Sequence, residues 1–199
     1  LVLLRLVGDN DSFARAVIMG LHLVNTLALT GVMAWAALLG GRPTARVDWK
    51  SAALKPLLVG TVGIGVVAAA GAVTALGDTL YPATAGVTET VSQVGSAGAH
   101  FLERLRGAHP LLAIAVSGLL LWLGPDLAAR SLSTREGGAG GAARWSRALT
   151  ITVYGQLALG LLNVWLSAPG WMQVVHLCAA LVLWLCWVGL GFAVLQRSG

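Results

Sequence analysis

Five long runs in this chain carry almost no charge, and a backbone immersed in hydrocarbon can satisfy its own N–H and C=O groups within a single run only as an α-helix. The runs are Phe13 to Leu39, Leu57 to Leu76, Ala108 to Leu123, Ala148 to Leu166 and Trp171 to Leu195. Most are near the roughly 20 residues that cross a bilayer. The third is the shortest and is expected to extend outward through His100 to Gly107, where FLERLRG suits an amphipathic turn or two along the interface. With 57% of its 199 residues hydrophobic and 11% charged, the chain has too little polar surface for a soluble domain. The expected fold class is therefore an all-α integral membrane protein: a transmembrane four-helix bundle, one additional transmembrane helix, and a partial helix at the N-terminus. That partial helix is LVLLRLV, too short to span, which reads as the end of a helix whose start lies upstream.

Orientation follows from the basic residues. The connection from Gly40 to Pro56 carries Arg42, Arg46, Lys50 and Lys55 against Asp48, and the one from Gly124 to Arg147 carries Arg130, Arg135, Arg144 and Arg147 against Asp126 and Glu136. Both are expected on the cytoplasmic side, with Arg197 and the C-terminus. The segment with Asp9 and Asp11, the nearly charge-balanced stretch from Gly77 to Gly107 and the neutral Ser167 to Gly170 turn then face outward. Membrane topology and lipid headgroups account for the formal charge of +5, so nucleic acid is not an expected partner; the lipid bilayer is.

Composition suggests further local roles. GGAGGAA at 137–143 reads as a flexible linker. Trp35, Trp122, Trp145, Trp165, Trp171 and Trp184 mostly sit near span ends, as in an aromatic belt. Gly60, Gly63, Gly65, Ala68, Ala69, Ala70 and Gly71 permit close approach of another helix or a flat ligand. Cys178 and Cys186 share the last run, about 12 Å apart along a helix, too far for a mutual disulfide, and Cys178 is expected to pack in the core. Asn25, Thr26, Gln156 and Asn163 are expected to bridge helices by hydrogen bonds.

The histidines carry the chemistry. His22, His109 and His176 each lie in or at the edge of an apolar run, where an ionisable group needs a partner. Their three helices run the same way, and each histidine is near the outer beginning of its span. The helices of His109 and His176 are separated by one span, so two imidazoles at similar depth can face each other across a bundle. Such pairs hold heme iron at both axial positions, leaving no open site for oxygen. Each histidine can instead simply bond a neighbouring helix. His100 reads as an interfacial residue, and Arg104 and Arg106 as a charged outer face, with pairing to heme propionates as the functional option.

The segments LHLVNT at 21–26, GAVTALGDTLYP at 71–82, HFLERLRGAHPLLA at 100–113 and GQLALGLLNVWLSAPGWMQVVHL at 155–177 resemble the heme A synthase family, and the resemblance covers nearly the whole chain. That family has two similar four-helix halves, each offering a histidine pair. The resemblance implies that residues 1–40 are the remnant of a first half, 41–56 a cytoplasmic linker and 57–199 a second, heme-binding half. It implies heme b on His109 and His176, with His22 belonging to a substrate-heme site, in an enzyme that oxidises the heme O methyl group to the formyl group of heme A. The expected setting is a prokaryotic cell membrane, with heme O synthase or cytochrome oxidase assembly factors as partners and a homo-oligomer left open. The family's catalytic glutamate has no counterpart in these residues, so the fragment alone is expected to be inactive. The 77–107 stretch lacks the family's frequent outer cysteines, and Pro110 stands where arginine is usual. The rival readings are a bis-histidine electron-transfer cytochrome, which needs no further half, and a heme-free structural subunit.

Overall fold

The computed structural model describes residues 12–40, 46–80, 101–134 and 139–197. Five helices form within them: α1 (Phe13–Gly40), α2 (Leu54–Leu80), α3 (Phe101–Thr134), α4 (Ala139–Trp165) and α5 (Gly170–Leu195). All five contain a stretch long and apolar enough to cross a membrane. Their flanks carry large exposed apolar side chains such as Val32, Ile151 and Leu161. On a water-soluble surface such a band is a liability, but in a bilayer it is the face that meets lipid. The chain is an integral membrane protein.

Local chemistry sets several helix ends. Ser12 caps α1, its Oγ accepting from Arg15 N at 3.3 Å. α2 begins three residues earlier than the apolar run suggests, after a turn in which Ser51 Oγ accepts from Ala53 N and Asp48 Oδ1 from Lys50 N. Its Pro56 falls in the first turn, where a missing N–H costs nothing. The third span extends through FLERLRG as expected, because α3 is helical from Phe101 onward, and it runs through Pro110 and Pro125. GGAGGAA, in contrast, is not a linker from Ala139 on. There α4 has begun, Ala142 is fully buried, and Gly141 faces Ala193 of α5 across a van der Waals gap. Tertiary packing overrides the poor helix propensity of glycine at that point.

α5 is the hub, with 61% of its apolar window buried against 11–28% for the other four spans. It packs against α4 and α1 and reaches α3 and α2, while α2 lies between α1 and α3, and α3 beside α4. The packing is concentrated at one end. Leu183, Trp184 and every residue from Cys186 to Leu195 except Ala193 are buried, together with Leu57 and Ile64 of α2, Leu120, Leu123 and Leu127 of α3, and Leu149 and Val153 of α4. At this end the α1–α2 connection also meets the end of α5. Arg46–Val47 (β1) pairs antiparallel with Gln196–Arg197 (β2), and Asp48 N donates to Leu195 O at 2.8 Å.

Large rings seated on glycines hold the hub. Trp184 lies on Gly31 of α1 and donates from Nε1 to Leu27 O at 2.9 Å, Trp187 lies on Gly60 of α2, and Trp145 of α4 lies on Gly189. Trp35 meets Phe192 edge-on at 5.4 Å. Trp145 and Trp184 are thus interior wedges rather than belt residues, whereas Trp122, Trp165 and Trp171 stay exposed, as a belt requires. Replacing Trp184 with phenylalanine keeps the wedge and removes the hydrogen bond. About 1 kcal/mol of stability is the expected loss, readable as a lower melting temperature in detergent.

Two further expectations are overturned. Cys178 is exposed on α5 and does not pack in the core, whereas Cys186 is buried, and both thiols are free. Thr26 bonds its own helix, Oγ1 donating to His22 O at 2.9 Å, and Asn25 is exposed.

Candidate functional site

His109 and His176 lie on α3 and α5, away from the tightly packed end of the bundle. Around them α4 and α5 expose Leu161, Trp165, Trp171 and Val174, and neither histidine is fully buried. The α4–α5 turn fixes what faces His176. Ser167 and Ala168 both adopt left-handed backbone angles, with φ of 59° and 54°, and Ala168 N reaches back to Asn163 O at 2.8 Å. Such angles strain residues that carry a Cβ. The turn is secured from the far side, where Gln173 Nε2 donates to Ala168 O at 2.8 Å. It folds α5 directly back along α4, so that Gln156, Gly160 and Asn163, spaced along one face of α4, meet the start of α5.

Each imidazole rests on a glycine. A Cβ on Gly71 of α2 would sit 3.0 Å from His109 Cε1, and one on Gly160 would sit 3.2 Å from His176 Cε1. The His109 ring also lies against the backbone carbonyl of Val67. Gln156 Nε2 is 3.0 Å from His176 Nε2 and 3.2 Å from His176 O. Nδ1 of His109, Nδ1 of His176, Oε1 of Gln156 and Oδ1 of Asn163 are all buried without a hydrogen-bond partner. Unpartnered buried polar atoms cost about 1–3 kcal/mol each, so four among neighbouring residues mark a place shaped for something besides packing.

The other residues singled out by sequence lie elsewhere. His22 is exposed on α1, while Gly20, two residues earlier, turns inward onto Ala69 of α2. The structure therefore sets His109 against α2 and His176 against α4, and leaves His22 on an exposed face of α1. Arg104 and Arg106 belong to α3 by their backbone, but their side chains, like all of His100, lie outside the described residues. Sequence reasoning gave Gln156 only a bridging role and overlooked Gly160. The available signal was their common face with Asn163, four and seven residues along one helix.

Comparison with known proteins fits this arrangement to a family. A family model described as cytochrome oxidase assembly protein matches residues 1–188. The chain belongs to this COX15-CtaA family. The family has a role in cytochrome oxidase assembly, and its members include the heme A synthases that the sequence resembles. Two curated relatives, from two strains of Thermus thermophilus, are both named protoheme IX farnesyltransferase and are 37% identical to it over 204 residues. The match takes in 100% of this chain and 32% of theirs, so the chain spans about a third of the length of the curated relatives it matches. No solved structure matches it.

Proposed function

We propose that this chain is the heme b-holding part of a heme A synthase, with His109 and His176 as the axial ligands of a low-spin heme. The observation that carries the proposal is the pair of imidazoles from α3 and α5, each seated on a glycine, each with a buried and unpartnered Nδ1. Among the described residues no group of three or more His, Cys, Asp or Glu is placed to hold a bare metal ion. Two imidazoles alone suit an iron that brings its own equatorial nitrogens, as heme does. Bound there, heme would supply one-electron transfer. The chain's own residues supply the two nitrogen ligands, and the apolar spans around them exclude water.

The methyl-to-formyl oxidation of heme O belongs, in this reading, to a second site that uses His22 with groups beyond these 199 residues. Oxidoreductase membership of the family supports it. The relatives' name adds a partner to the proposal, an enzyme that farnesylates protoheme and so provides the substrate for this oxidation. The basic connections and the C-terminus are assigned to the cytoplasmic side of a prokaryotic cell membrane, with the heme toward the outer leaflet.

The test is a reduced-minus-oxidised visible spectrum of the detergent-purified chain. A low-spin heme b signal is expected in wild type, and at undiminished intensity in His22→Ala, because His22 lies on an exposed face of α1 apart from the pair. A folded wild-type chain with no heme signal would sink the ligand assignment, and a signal lost with His22 would move the site to α1.

A further inference from the structure

The contact between Gln156 and His176 has a direction. The Gln156 atom 3.0 Å from His176 Nε2 is also 3.2 Å from the His176 carbonyl oxygen. A carbonyl oxygen only accepts, so that atom must be the amide nitrogen, which only donates. The side-chain flip that would place Oε1 there is disfavoured, because it would set two acceptors, Oε1 and the His176 carbonyl oxygen, against each other at 3.2 Å. Donation to Nε2 requires a lone pair on that nitrogen, and a neutral imidazole with its lone pair on Nε2 carries its proton on Nδ1. His176 is thereby held in one tautomer, with an Nδ1–H that is buried and has no partner.

We propose that Gln156 is a positioning residue that caps the iron-binding nitrogen of His176 when no heme is bound and would give it up when heme arrives. The inference rests on the heme reading above and deepens it. A histidine that ligates through Nε2 needs the lone pair there and the proton on Nδ1, which is the tautomer Gln156 imposes. The second contact, to the His176 carbonyl, ties the amide to the backbone of α5, so the side chain has a place to remain when Nε2 is taken. Loading would break the Gln156–His176 N–H···N hydrogen bond and leave the Nε2 lone pair of His176 available to heme iron, with no proton moving on the ring. Among the described residues no side-chain amide caps His109, whose ring is set against the Val67 carbonyl and Gly71. The two ligands are therefore unequal before heme binds, with His176 prepared in advance.

Two variants of the full chain separate this from mere packing. In Gln156→Glu the carboxylate can only accept, so it draws the proton onto Nε2 and reverses the tautomer. Gln156→Leu keeps the bulk and imposes neither form. Histidine 15N NMR of the heme-free chain in detergent is expected to show the Nδ1–H form at His176 in wild type, a mixture in Gln156→Leu and the Nε2-protonated form in Gln156→Glu. Hemin titration should then give at least about tenfold weaker binding for Gln156→Glu than for wild type. A wild-type His176 protonated on Nε2, or equal hemin affinity in Gln156→Glu, overturns the proposal. The tautomer is read without hemin, so a wild-type chain that takes up no hemin defeats the heme reading while the Gln156 assignment still stands or falls on the NMR result.

Discussion

Alanine at either His109 or His176 is expected to abolish the low-spin heme signal of the purified chain while leaving its helices in place. Both halves of that expectation come from where the rings sit. Neither histidine is in the packed end of the bundle, and each contributes an edge resting on a glycine rather than a wedge between large side chains. Truncation therefore removes little packing, and it also removes a buried nitrogen that has no partner, which offsets part of the loss. The ligand function has no such reserve. With one axial nitrogen gone the iron cannot stay low-spin on the remaining histidine alone, and retained heme is expected to fall by tenfold or more. Reduced-minus-oxidised spectra, with circular dichroism as the check on folding, read both quantities. A low-spin signal of wild-type intensity in either variant would show that its histidine is a packing residue. The same comparison separates a heme protein from a heme-free subunit, for which both substitutions leave the spectrum flat and unchanged.

The spans were legible because hydrocarbon offers the backbone so few options. Five apolar runs gave five helices; α1, α2 and α5 end within about a turn of their runs, whereas α3 begins at Phe101 and ends at Thr134, well beyond Ala108 and Leu123, and α4 begins at Ala139 rather than Ala148. α4 begins inside GGAGGAA because Ala142 finds a fully buried place and Gly141 a neighbour in Ala193, neither of which composition can reveal. Trp184 resembled a belt residue because belts and wedges use the same side chain. The difference lies in Gly31, more than 150 positions away, as the bond from Trp184 to Leu27 shows. Cys178 failed for the opposite reason: it sits in an apolar run, yet its face of α5 meets no other described helix. In a membrane, apolar surroundings do not imply burial in protein. The candidate ligands His109 and His176 were visible as ionisable groups in apolar spans. Gly71 was visible as a place of close approach, but its pairing with His109 was not, nor were Gly160 and the Gln156 amide, because the left-handed angles that align α4 with α5 fall on Ser167 and Ala168, which rarely adopt them.

The largest effect on stability is expected at Trp187, and its partner shows why. Trp187 is 2% exposed, and its ring lies so close to Gly60 of α2 that a Cβ there would overlap it. Its Nε1 donates to Thr61 Oγ1 at 3.0 Å, so one residue fixes both the spacing and the rotation of α2 against α5. Between membrane helices the gain comes from such close packing rather than from escape from water. Trp187→Ala leaves a cavity at the hub and should cost about 3–5 kcal/mol. Gly60→Ala forces the ring aside and should cost about 1–3 kcal/mol. If the contact is what these losses measure, they cannot add. Once Trp187 is alanine, nothing opposes a methyl group at position 60, and alanine is the better helix former by about 1 kcal/mol. Gly60→Ala should then change sign, from destabilising in wild type to neutral or stabilising in Trp187→Ala. Unfolding in mixed micelles across the four proteins measures this coupling directly. Additive losses would mean that α2 and α5 are held together by something other than the tryptophan on its glycine.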